Sequence, residues 1–172
     1  MRWIFPGRAV PALAGWFERF PAEVESREDT YLVSPQLRGL SVKVRGGGAL
    51  EVKMYRGSPG ILEVACRSRG RMESWQKWSF PCGRLSQRGA AAAGWTPVHK
   101  RISWISLANG QIQVPRPEPG GEPASKLEFT QVHTRGEPWW TLGIEAIGPA
   151  ACSAASWRPR PRSWSPRPCP MA

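Results

Sequence analysis

Lysines, arginines and glutamates recur at every second position along several short stretches of this chain, a spacing that can build one ionic surface from many separate segments. The stretch 40–56, LSVKVRGGGALEVKMYR, shows it best. Lys43 and Arg45 alternate with Leu40, Val42 and Val44, and Glu51 and Lys53 alternate with Leu50, Val52 and Met54. Strand side chains repeat every second residue, so each run reads as a strand with one apolar and one ionic face. Glu73, Trp75 and Lys77 share a face in 71–80, and Lys100 lies opposite His99 and Arg101 in 97–107. Lys126, Glu128 and Thr130 alternate with Leu127 and Phe129, and Glu145 sits between Ile144 and Ala146.

Two arrangements produce this pattern. In one, an antiparallel sheet keeps a wet side, where neighbouring Lys and Glu contribute ~0.2–1 kcal/mol per pair. In the other, the ionic faces line the inside of a wide barrel around a solvated tunnel. Unpaired buried charges cost several kcal/mol each, so such an interior must be wet, internally paired and filled by a charged ligand. Periodicity alone does not choose between inside and outside.

The positioning elements follow from turn residues and periodicity. Residues 2–5 form a short strand ended by Pro6-Gly7. Val10, Leu13, Ala14, Phe17 and Phe20 have helical spacing, with Pro11 suited to a first turn and Pro21 closing the segment. Strands are expected at 28–33, on both sides of Gly46-Gly47-Gly48, and at 61–67 and 71–80 across Ser68-Arg69-Gly70. Runs 97–107 and 111–114 flank Asn109-Gly110, a dipeptide suited to a two-residue hairpin turn, and 126–133 pairs with 139–147. Loops are expected at 81–94 and 115–124. The sum is about nine or ten strands and one or two helices: a mainly β (α+β) fold, an antiparallel barrel of eight or more strands without open edges.

The chain of 172 residues carries a formal charge of +11, which favours an anionic partner such as a phosphate compound, nucleic acid or acidic membrane surface. The alternative is a protein with a merely basic exterior. Residues 1–148 read as one domain. Residues 149–172 are rich in Pro, Arg and Ser, lack apolar periodicity, and read as a disordered tail. Cys66, Cys82, Cys152 and Cys169 form no C-x-x-C pair, which argues against structural zinc. The N-terminal segment does not read as a signal peptide, and no run approaches the ~20 apolar residues of a membrane span, so a reduced cytoplasmic protein is expected. Walker loops, G-x-S-x-G and dinucleotide fingerprints are missing, and Asp29 is the single aspartate.

The order REDTYLV, LSVKVRGG, LEVKMYRG, ESWQKWSF, VHKRISW and WWTLGIEAIG resembles the CYTH superfamily over 1–148. Its members share the triphosphate tunnel fold, an eight-stranded antiparallel barrel, and include class IV adenylate cyclases, thiamine triphosphatase and inorganic triphosphatases. The resemblance implies that Lys43, Arg45, Lys53, Lys77, Lys100 and Arg101 bind a triphosphate or another polyanionic phosphate. The family's first-strand E-x-E-x-K is absent from Arg2-Trp3-Ile4-Phe5. A catalytic Mg²⁺ or Mn²⁺ would therefore rest on Glu73 and Glu145, with Glu51 and Glu128. The implied chemistry is metal-assisted phosphoryl transfer, with basic side chains neutralising phosphate oxygens. Ten tryptophans interleaved with basic residues define the alternative, a single-stranded nucleic-acid binding module. A non-catalytic scaffold domain is the third reading.

Overall fold

The alternating runs become strands of one antiparallel sheet. The computed structural model describes residues 1–20, 22–64, 68–82, 94–108, 111–113 and 124–147. In chain order the elements are β1 (Arg2–Pro6), α1 (Pro11–Phe17), β2 (Glu23–Leu32), β3 (Leu40–Arg45), β4 (Ala49–Val64), β5 (Ser68–Pro81), β6 (Trp95–Ala108), β7 (Gln111–Gln113), β8 (Ala124–Thr134) and β9 (Glu137–Ile147). Their order across the sheet is β1-β9-β8-β6-β2-β3-β4-β5, with β7 added beside β6. The expected tail, the Asn109-Gly110 turn and almost all of the two expected loops lie outside the described residues. No described helix is long and apolar enough to cross a membrane.

Most expected elements are present, but the helix stops at Phe17, short of the expected close at Pro21, and three β segments differ in extent. The strand expected at 28–33 begins at Glu23, and pairs with β6 from Glu23 opposite Trp104 to Leu32 opposite Trp95. The segments expected to separate at 57–60 instead form one long strand, β4. Gly57 and Gly60, at φ 122° and 131°, absorb the two register shifts against β5, where side chains with a Cβ would be strained. Ser68-Arg69-Gly70, expected as a turn, is paired strand, because Ser68 lies opposite Val64 and Gly70 opposite Leu62.

The sheet curls without closing. Strands β1 and β5 end the order and do not pair with each other, so the edge-free barrel expected from the sequence is here a half-barrel. Lys53 on β4 and Glu145 on β9 stand five strand spacings apart, about 24 Å in a flat sheet. They nevertheless influence each other's charge, as do the Met1 ammonium and Glu73 on β5. The edges also touch: a Cβ on Gly70 would overlap the Met1 thioether and come within 3.1 Å of the Trp3 ring. Glycine is what lets the two ends of the sheet approach.

Helix α1 seals one side of the outer face. Phe17 packs against Phe129 at 5.4 Å between ring centroids and joins Ile105 in a buried cluster. Leu13, Ala14 and Phe20 extend the contact, as their helical spacing predicts, whereas Val10 caps the helix and stays exposed. The apolar half of the strand alternation thus faces outward beneath α1, and the ionic half faces inward.

Candidate functional site

Register fixes which residues share the concave face. Tyr31 lies opposite Lys43 and Thr96, Asp29 opposite Arg45, Arg27 opposite Lys100, and Lys43 opposite Glu51. The row continues through Lys53 opposite Lys77, Trp104 opposite Glu128, Lys126 opposite Glu145, and Gly143 opposite Arg2. Lys43, Arg45, Lys53, Lys77 and Lys100 therefore share this face. Arg101 does not: it aligns with Ser26 and Gln131 on the outer face, one residue out of phase with Lys100.

The centre of the face is Asp29, which is fully buried. Its carboxylate accepts from Lys43 Nζ at 2.9 Å, Lys100 Nζ at 3.0 Å and Arg27 Nε at 3.0 Å. Lys100 also donates to the Tyr31 hydroxyl, and its ammonium lies 4.6 Å from that ring's centroid. Burial disfavours the charged carboxyl, but Lys43 and Lys100 outweigh it and hold Asp29 at about 2.

Glu51 is the second hub. It meets Lys77 at 2.7 Å, Lys43 at 3.1 Å and Arg45 at 3.4 Å, and Lys77 and Lys43 overcome its burial to hold it at about 2. Arg27 and Arg45 both also reach Glu25. On the far side, Glu128 binds Arg2 at 2.7 Å and Lys126 at 3.1 Å, and Lys126 reaches Glu145 at 2.9 Å. Arg2 and Lys126 likewise outweigh burial and keep Glu128 at about 2.

Charge is unevenly shared between these networks. Around Asp29 and Glu51, five cations (Arg27, Lys43, Arg45, Lys77 and Lys100) face three carboxylates, whereas the Arg2–Lys126–Glu128–Glu145 network balances. Between the two lies Lys53, which forms no ion pair among the described residues. Its ammonium is pushed to a lower pKa by burial and then by the like charges of Lys43, Lys77 and Arg2, against a partial counter-pull from Glu145. Excess positive charge is therefore concentrated on the side of the sheet running β6-β2-β3-β4-β5, around Lys53.

The glutamates suggested as metal ligands do not converge. Glu51 is taken up by three cations, Glu128 by two, and Glu145 by Lys126, while Glu73 accepts from the Trp75 indole at 2.9 Å. Among the described residues, no three His, Cys, Asp or Glu side chains are grouped to hold a metal ion. A carboxylate saturated by ammonium and guanidinium groups is a poor ligand for a hard divalent cation. The described residues of this face do not fit Mg²⁺ or Mn²⁺.

Sequence reading missed Arg2, Glu25, Arg27 and the role of Asp29. In EVESREDTY, residues 23–31, the positions between the ionic side chains are Val24, Ser26, Glu28 and Thr30. A strand with so few apolar alternates shows no amphipathic period to mark its start. The fold class is thus a curled antiparallel half-barrel with an ion-paired concave face. Neither a family model nor a curated protein matches the sequence.

Proposed function

We propose that the concave face binds a polyanionic phosphate compound, as the resemblance to the triphosphate tunnel fold implies. The observation that carries this reading is Lys53, an ammonium without a carboxylate partner among the described residues, set among Lys43, Lys77 and Arg2. An unpaired, half-buried cation beside like charges is unfavourable by itself and becomes favourable when an anion is added. Phosphate oxygens would accept hydrogen bonds from Lys53 and share Lys77, Arg45 and Lys43 with Glu51. Binding is the proposal; metal-dependent hydrolysis is not, because the glutamates it would need are engaged elsewhere.

Thermal denaturation with added sodium tripolyphosphate tests it. The melting temperature is expected to rise, and Lys53→Ala combined with Arg45→Ala to remove the rise. No shift with the wild-type chain would sink the reading.

A second reading has its own support. The Tyr55 and Trp75 rings lie 5.3 Å apart between centroids, tilted by 59°, next to Lys53 and Lys77, and both are well exposed. Exposed aromatics beside cations suit single-stranded nucleic acid, whose bases stack and whose phosphates pair. Oligonucleotide binding that weakens steeply with salt and with Trp75→Leu, without any response to tripolyphosphate, would favour this reading.

A further inference from the structure

We infer that the concave face takes its polyanion free of metal, so that a divalent cation competes with the protein for the ligand instead of bridging the two. The inference rests on the phosphate-binding reading above and concerns the form in which the ligand is bound. A metal-bridged phosphate needs carboxylates with oxygen lone pairs turned toward the ligand. Here the carboxylates set among the lysines and arginines are committed to those cations, and Glu73, outside the ion pairs, accepts from the Trp75 indole. Asp29 is enclosed by Lys43, Lys100 and Arg27, and Glu51 by Lys77, Lys43 and Arg45. Glu128 holds Arg2 and Lys126, and Glu145 holds Lys126.

Recruiting a divalent ion would mean pulling a carboxylate away from its lysines and leaving those ammonium groups uncompensated in a partly desolvated face. An added phosphate has the opposite effect, because it joins the cations without detaching them. The roles are therefore divided: lysines and arginines meet the ligand, and glutamates hold those cations in place. Complexation of tripolyphosphate by Mg²⁺ lowers its negative charge and masks the oxygens that Lys53 and Lys77 would meet, so the complex should bind less well.

The experiment measures thermal shifts of the full chain at constant ionic strength. Sodium tripolyphosphate is added in EDTA, then with Mg²⁺ in excess over phosphate, and Mn²⁺ is added alone. The expected result is a full shift in EDTA, a shift reduced several-fold in Mg²⁺, and none with Mn²⁺ alone. Glu145→Gln, at a half-exposed position, should keep or enlarge the EDTA shift. A shift that needs Mg²⁺, or a rise with Mn²⁺ alone that Glu145→Gln or Glu51→Gln removes, overturns the inference while leaving phosphate binding intact. No shift under any condition overturns phosphate binding itself, and this inference with it.

Discussion

Lys43 Nζ lies 2.9 Å from Asp29 Oδ2 and 3.1 Å from Glu51 Oε2, joining the two carboxylate hubs of the concave face through one buried ammonium. Side-chain exposure is 10% for Lys43, 0% for Asp29 and 4% for Glu51, so solvent screens this bridge little. Removing either partner strands the other's charge in the protein. Asp29→Asn leaves Lys43, Lys100 and Arg27 without their shared anion, and is expected to cost about 3 kcal/mol. Urea denaturation measures this directly. A loss below about 1 kcal/mol would mean that the three cations find other partners.

Acid should unfold the protein through the same carboxylates. Asp29, Glu51 and Glu128 each sit at about 2, below their ordinary values of 3.8 and 4.5. The unfolded chain therefore binds more protons than the folded one between about pH 2 and pH 4.5, and stability rises with pH across that window. Stability is complete above about pH 5 and is lost as pH falls from there toward pH 2, by about 2–3 kcal/mol for each of the three groups. Denaturant midpoints from pH 7 to pH 2 check the slope. A flat profile would contradict the ion pairing.

The outer face should be separable from the inner one. Phe17 is 2% exposed and packs on Phe129 and Ile105 on the opposite side of the sheet from Lys53. Phe17→Ala is expected to cost about 3–5 kcal/mol through the cavity it leaves. At temperatures where the variant is still folded, tripolyphosphate should raise its melting temperature as much as that of the parent. A response lost along with the stability would tie the anion site to the helix.

How much of this was legible in the sequence depends on how clean each alternation is. Strands β3 and β4 announce themselves because Val42, Val44, Leu50 and Val52 mark the apolar face, and the ionic face follows by parity. Parity also separates Lys100 from Arg101, two neighbours that must point to opposite sides. Strand β2 lacks that contrast, so Glu25 and Arg27 escaped, and nothing local marks Asp29 as the residue three cations share. Which face turns inward is a property of curl. It appears only once β1 and β5 are seen approaching each other past Gly70, a contact between residues about seventy positions apart.

Lys53 supplies the sharpest test, because stability and binding should move in opposite directions. Burial, and the nearby charges of Lys43, Lys77 and Arg2, lower its pKa from the ordinary 10.5. The unfolded chain therefore holds the Lys53 proton more tightly than the folded one. At neutral pH the charged group works against folding, and stability is regained as pH climbs through its depressed pKa toward 10.5. Lys53→Met keeps most of the side-chain volume and removes the charge. The ligand-free variant should melt a few degrees higher than the parent at pH 7, and its alkaline gain should vanish. With the unpaired ammonium gone, tripolyphosphate should stabilise it far less. A variant that melts lower would identify Lys53 as a structural group satisfied within the fold, whereas one that melts higher and still responds fully would move the anion to other cations of the face.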